Sequence, residues 1–148
     1  MKEEFYHQNI FGETVDIDLA EVKEDEELPL DKKGREFNVF AITDALGARD
    51  KKRAWILYQG ALAAGLSPEE IFYKIVWQVK CMLLASRTKS VKETDMKDFP
   101  YTKAKSYLKN FKEGEIEKLS EDLVMGYHKA RRGEGEVETL VEKIILVL

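Results

Sequence analysis

Cysteine, histidine and proline are scarce in this chain, and each shortage excludes something. Its 148 residues include one cysteine, two histidines and three prolines. The lone Cys81 cannot form a disulfide within the chain, and it fits a reducing cytoplasm. His7 and His128 add too few ligands beside it for a structural zinc site. Long apolar runs are missing as well: none approaches the ~20 residues that cross a bilayer. The opening MKEEFYHQNIFGE lacks the apolar centre of a secretory signal. The expectation is a cytoplasmic protein with no metal, no cofactor and no membrane partner.

Local signatures of catalysis are absent too. There is no GxxxxGK[ST] loop and no GxGxxG after a strand, so nucleotide binding has no local support. Neither HExxH nor GxSxG occurs. Cys81 falls in the most apolar stretch, where a thiolate is disfavoured, and reads as a packed side chain rather than a nucleophile. His128 is followed by Lys129, Arg131 and Arg132 near the end of a predicted helix. It reads as a surface or half-buried histidine, not a general base. No enzyme activity is expected.

What is present is charge, and it is unevenly placed. The chain is 44% hydrophobic and 35% charged, with a net charge of -4. Its length suits one domain with a proper core. Residues 1–36 carry five basic and twelve acidic side chains, a balance of -7, whereas residues 74–112 carry ten basic and three acidic ones, a balance of +7. That is an acidic leader before a domain with one basic flank; two solvated faces of opposite bias would look the same. Within the leader, Thr14 to Val22 alternates loosely at period two, which suits a short strand or hairpin. Lys23 to Gly34 is charged and contains Pro29, so it reads as a linker. The ordered domain is expected to run from 37 to 148.

From Phe37 onward the pattern is helical. With Asn38 as N-cap, Val39, Ile42 and Leu46 form the stripe of a first helix, and Gly47 is expected to end it in left-handed geometry. Asp50 caps a second helix, in which Ala54, Leu57, Tyr58 and Ala61 resume the stripe, and Gly65 stops it. Ser67-Pro68-Glu69-Glu70 is a strong start signal, an N-cap and capping box with proline at the first position. The helix it opens, Ile71 to Ala85, is apolar on most faces and belongs in the centre. After a polar stretch, in which Ser90 and Glu93 suit a single capped turn, a lysine-rich helix is expected from about Tyr101 to Phe111. A fifth helix runs from about Glu115 to Arg132, with Ile116, Leu119, Leu123, Tyr127 and Ala130 on one face and Gly133 at its end. The last helix aligns Val137, Leu140, Val141, Ile144 and Leu148. The predicted fold is an all-α bundle of five or six helices with a short acidic N-terminal extension, itself partly extended or β.

Several of these stretches carry more than periodicity. Phe40 to Tyr58, FAITDALGARDKKRAWILY, closely resembles the opening of the C-terminal domain of the DNA polymerase III delta subunit, a component of the bacterial clamp loader. AGLSPEEIFYKIVWQVKCMLL is similar to that family's next element, with Trp77 and Gln78 where it carries an aromatic or apolar residue followed by glutamine. FPYTKAKSYLKNF matches at Pro100, Lys103 and Ala104. The ending, LVMGYHKARRGEGEVETLVEKIILVL, is similar to the family's closing pair of helices. The resemblance spans about Phe37 to Leu148. It implies a collar-type helical domain that holds clamp-loader subunits together, with delta-prime and gamma/tau-like subunits as partners. The AAA+-type modules that precede this domain in the family have no counterpart in residues 1–36. Clamp opening therefore does not carry over.

Two surfaces follow as candidates. Trp55, Tyr58, Trp77 and Tyr127, with Arg131 and Arg132, are the residue types that anchor protein interfaces. Lys89, Lys92, Lys103, Lys105, Lys109 and Lys112, around Tyr101 and Tyr107, suit an alternative reading as a nucleic-acid-binding domain for primer-template DNA. A homodimerising bundle unrelated to replication is a third reading. Gln8-Asn9-Ile10-Phe11 is a faint, one-residue-short version of the Q-x-x-L-F peptide that binds sliding clamps.

Overall fold

Helix α3, Pro68–Arg87, is the axis of the fold in a computed structural model that describes residues 37–148 and two short strands nearer the N-terminus. Ser67 starts it. The Ser67 hydroxyl accepts the Glu70 backbone N–H at 3.2 Å, and the Glu70 carboxylate accepts the Ser67 N–H at 2.8 Å. This reciprocal box, with Pro68 at the first position, is the start signal read from the sequence. Ile71, Ile75, Val79, Met82 and Ala85 recur at helical spacing and are all buried, and Phe72, Gln78 and Cys81 widen the buried band. Helices α1 (Phe40–Gly47), α4 (Asp98–Tyr107), α5 (Glu115–Arg131) and α6 (Val137–Leu146) all pack on α3. Helix α2 (Lys51–Ala63) lies mainly against α1 and α6. The described body is the predicted all-α bundle, with six helices.

The end of α1 departs from expectation in an instructive way. Val39, Ile42 and Leu46 are buried as predicted. The helix starts at Phe40, however, and Asn38 accepts the Phe40 N–H at 3.0 Å from one position before the cap. Gly47 is not the left-handed residue; Arg49 is, with φ at 55°. Gly47 stays in the helix, and a Cβ there would fall inside the Tyr107 ring. It is a glycine of close approach, not of turn geometry. The Tyr107 hydroxyl donates to Asp44 Oδ1 at 3.0 Å, and Asn110 Nδ2 donates to the Gly47 carbonyl at 2.9 Å. The left-handed backbone of Arg49 costs about 1–2 kcal/mol. Its side chain offsets this with a 2.7 Å ion pair to Glu115 and a seat 4.8 Å over the Phe111 ring.

The remaining boundaries follow local chemistry. Asp50 accepts the Arg53 N–H at 3.0 Å and starts α2. Gly65, φ 97°, and Gly133, φ 77°, take the left-handed turns after α2 and α5. A 3-10 turn forms at Val91–Glu93, but Ser90 gives it no side-chain cap; Glu93 instead accepts the N–H of Lys89, one residue before the N-cap, at 3.3 Å. Helix α4 begins at Asp98, ahead of the expected Tyr101, because Pro100 sits in the first turn where its missing N–H costs nothing. It gives way to a 3-10 turn at Leu108–Asn110. Ile145 joins Val141 and Ile144 in the core of α6, outside the stripe read from sequence.

Strands β1, Tyr6–Gln8, and β2, Thr14–Asp16, pair antiparallel with Tyr6 opposite Asp16. The second falls at the start of the alternating stretch. The rest of that stretch, the linker from Lys23 to Gly34, and Asn9 to Phe11 of the clamp-peptide cue lie outside the described residues.

Two substitutions test this packing. Gly47→Ala gains up to ~1 kcal/mol of helix propensity yet is expected to lose about 1–3 kcal/mol of stability through overpacking against Tyr107. Urea unfolding measures it, and an unchanged or raised midpoint contradicts the close approach. Tyr58 is fully buried, and its hydroxyl has no hydrogen-bond partner among the described residues. Burial, with Glu138, Glu142 and Glu69 adding, pushes that hydroxyl up to about 12. Removing an unsatisfied buried polar atom leaves stability equal or higher, so Tyr58→Phe is expected to melt no lower than the parent.

Candidate functional site

The clearest concentration of interface-type side chains lies where α3 meets α5. Tyr73 and Tyr127 join hydroxyl to hydroxyl at 2.8 Å, and Tyr127 stacks on Phe72 with ring centroids 5.2 Å apart and planes 12° from parallel. Tyr73 completes the cluster edge-on to both rings. The bond to Tyr127, then burial, pushes the Tyr73 hydroxyl up to about 12. Tyr73 is nonetheless 53% exposed. Val124, Tyr127 and Arg131 fall at i, i+3 and i+7 on α5, so an exposed valine and an exposed arginine flank the tyrosine pair along one helix face. Buried Phe72 anchors the cluster from below. The result is a rigid aromatic edge with a cation at one end.

Of the six residues predicted to anchor a partner, two meet at this edge: Tyr127 and Arg131. Tyr58 does not belong to any surface. It is fully buried, because Ala54, Tyr58 and Ala61 are the core stripe of α2, and it packs 6.2 Å from the half-buried Trp55 ring. Trp77 is half-buried and meets Phe40 of α1 edge-on at 5.9 Å. Arg132 is exposed beyond the end of α5, with its Nε 3.2 Å from Glu134. The candidates thus divide among separate helix junctions. Tyr73 is the member that periodicity undervalues. Its signal in the sequence is the tandem Phe72-Tyr73, which puts one ring in the core and the next at its rim.

The six lysines divide as well. Lys103 pairs with Asp44 at 2.6 Å and lies over the Phe99 ring. Lys105 turns inward, and its ammonium donates to the Ala85 and Thr88 carbonyls, both at 2.6 Å. Those carbonyls belong to the last turn and C-cap of α3, where a cation is favoured by the dipole and by the free acceptors. Lys89, Lys92, Lys109 and Lys112 stay exposed. Both aromatics expected to serve as stacking platforms are occupied. Tyr101 is buried with its hydroxyl 3.0 Å from that of Thr88, and Tyr107 covers Gly47. A nucleic-acid surface built from all eight residues is therefore not what these helices present.

Other reactive groups are equally occupied. Burial pushes the Cys81 thiol up to about 12, so it stays protonated and packed. Burial also lowers Lys80 from its ordinary value. The Lys112 backbone N–H, assisted by Arg49, holds the Glu115 carboxyl below the usual range. Among the described residues no three His, Cys, Asp or Glu side chains are grouped to hold a metal ion, and no helix is long and apolar enough to cross a membrane.

The division of the lysines can be measured by thermal or urea unfolding. Lys105→Ala removes a charged donor from two carbonyls and is expected to cost about 1–3 kcal/mol. Lys109→Ala, on the exposed face, should stay within about 0.5 kcal/mol. Equal effects would contradict the inward role of Lys105.

Comparison with known proteins bears on the whole helical body. A family model described as DNA polymerase III delta subunit, C-terminal domain, matches residues 36–148. No curated protein and no solved structure matches the chain significantly. The matched residues take in all six helices, from the hairpin of α1 and α2 to the final amphipathic turn of α6. The chain belongs to the family defined by the C-terminal domain of the DNA polymerase III delta subunit.

Proposed function

We propose that residues 37–148 form a non-catalytic subunit-association module of a DNA polymerase III clamp loader, acting in the cytoplasm, with residues 1–36 as its acidic leader. The observation that carries this reading is the family match across every helix of the bundle. In a clamp-loader collar the partners are the delta-prime and gamma/tau-like subunits, and association with them is the role assigned here. The tyrosine edge between α3 and α5 supports it physically. Tyrosine and arginine at a half-desolvated site are frequent anchors, because a large rigid ring buries much area and loses little entropy. Val124, exposed on α5 one turn before Tyr127, adds apolar area beside it. The nucleic-acid alternative receives less support, since Tyr101, Tyr107, Lys103 and Lys105 already have partners inside the fold.

Analytical size exclusion of the chain mixed with delta-prime and gamma/tau-like subunits from the same source is expected to show a shared, earlier-eluting peak. Tyr73→Ala and Arg131→Glu should each weaken that association, roughly five- to thirtyfold, as expected for anchors worth about 1–2 kcal/mol. Lys109→Ala should leave it unchanged. If an excess of the chain leaves the partner subunits unshifted, the association reading is wrong. If they shift but neither substitution matters, the tyrosine edge is not the contact.

A further inference from the structure

Lys80 is set among apolar side chains with no counter-charge. It lies in the middle of α3, and its helical neighbours at i−4, i−3, i+3 and i+4 are Val76, Trp77, Leu83 and Leu84. All four are half-buried, and so is Lys80. Among the described residues no carboxylate forms an ion pair with its ammonium. Burial lowers its pKa from the ordinary value, and nothing charged offsets the loss. A cation stripped of water in this way is costly until an anion reaches it.

The face that holds Lys80 is the one α3 turns away from the core. Ile71, Ile75, Val79 and Met82 are buried on the inner side. On the outer side Tyr73, Val76, Trp77, Lys80, Leu84 and Arg87 recur at i, i+3, i+4, i+7, i+11 and i+14. A solvated helix face is normally polar, whereas the middle of this one is valine, tryptophan and leucine around a single ammonium. Two helices border it. Tyr127 of α5 bonds Tyr73 at one end, and Phe40 of α1 meets Trp77 edge-on at 5.9 Å on the other flank. From Tyr73 to Arg87 the face runs ~21 Å, enough for about four turns of a docked helix.

The unpaired charge decides what fits. A purely apolar occupant seals the ammonium in without a partner. A second copy is no better, because a two-fold contact through this face brings Lys80 and Arg87 toward their own equivalents, and none of the six face residues is acidic. A phosphate backbone is better served by Lys89, Lys92, Lys109 and Lys112, which are exposed and hydrated, and it has no use for an apolar floor. Building on the association role assigned above, we propose that the outer face of α3 takes a helix of a partner subunit whose apolar stripe is interrupted by a carboxylate, and that this carboxylate pairs with Lys80. The tyrosine pair then marks one end of the contact.

Titration of the full chain with delta-prime and gamma/tau-like subunits, beside Lys80→Met, tests this. Methionine keeps an apolar stem and removes the charge. The free Lys80→Met chain is expected to melt no lower than the parent, since a desolvated cation is gone. Its association with the partner should weaken at least about thirtyfold, because the partner's carboxylate is then buried alone. In the parent complex, carbodiimide should couple the Lys80 amine to an aspartate or glutamate of the partner as an amide, with loss of water. If no subunit associates with the parent chain, this inference and the association role fall together. If they associate but Lys80→Met binds within about twofold of the parent, the outer face of α3 is not the contact, and the association role stands. A lower melting temperature for Lys80→Met makes Lys80 a support of the fold and overturns the proposal. A carbodiimide link from Lys80 to another copy of this chain, in place of the partner, also overturns it and makes the occupant a second copy.

Discussion

Burial of one broad face of α3 is the constraint the rest of the bundle obeys. A helix that is apolar around most of its circumference cannot be stable at a surface, so other helices must enclose it. Four helices pack broadly on α3 and α2 touches it, and α3 supplies more buried apolar side chains than any other helix. Each fully buried Ile or Met contributes roughly 1.5–3 kcal/mol. Its two ends are fixed by polar devices. The Ser67–Glu70 box closes the first turn, and the Lys105 ammonium gathers the carbonyls of the last. The axis of the fold is thus capped by its own sequence at one end and by a neighbouring helix at the other.

That second cap explains why the lysine-rich segment is not simply a basic surface. Lys103 and Lys105 lie two residues apart on α4, so they point along different faces. One reaches Asp44 of α1 and the other reaches α3. Tyr107, further along, lies over Gly47, and the turn after it holds the α1 carboxyl end through Asn110. A segment that reads as positive charge in one dimension becomes, in three, a strap fastening α1 to α3. Charge counts along the chain are blind to this, because long lysine stems let an ammonium reach acceptors on a different element from its own backbone.

Much of the architecture was legible from spacing and caps. The order of the helices, the Ser67 and Asp50 starts, the Gly65 and Gly133 stops, and the stripes of α1, α2, α3 and α5 all follow from rules of local chemistry. Gly47 was not legible. A glycine near a helix end signals left-handed geometry in a sequence, whereas here it answers to an aromatic ring sixty residues away. The α4 start was hidden because a proline looks like a boundary even when it sits harmlessly in a first turn. Of the proposed anchors, Tyr127 and Arg131 lie together beside Tyr73, whereas Tyr58 is buried, since aromatic character cannot tell the core side of a helix from its rim. The pairing of Tyr73 with Tyr127 emerges only in the fold, because a hydroxyl pair between helices is a tertiary fact.

The two tryptophans hold a different kind of information. Trp55 lies on α2 beside Tyr58 of the same helix, and Trp77 of α3 meets α1 through Phe40, each half-hidden from water. Indole emission moves to longer wavelength as solvent reaches the ring, so the protein carries two native optical reporters, one where α2 meets the core and one where α3 meets α1. Loosening of the α1 seam and of the α2 seam would change the light from different rings. Replacing either indole by phenylalanine isolates the other, and the order in which the seams come apart can be followed in an otherwise natural chain.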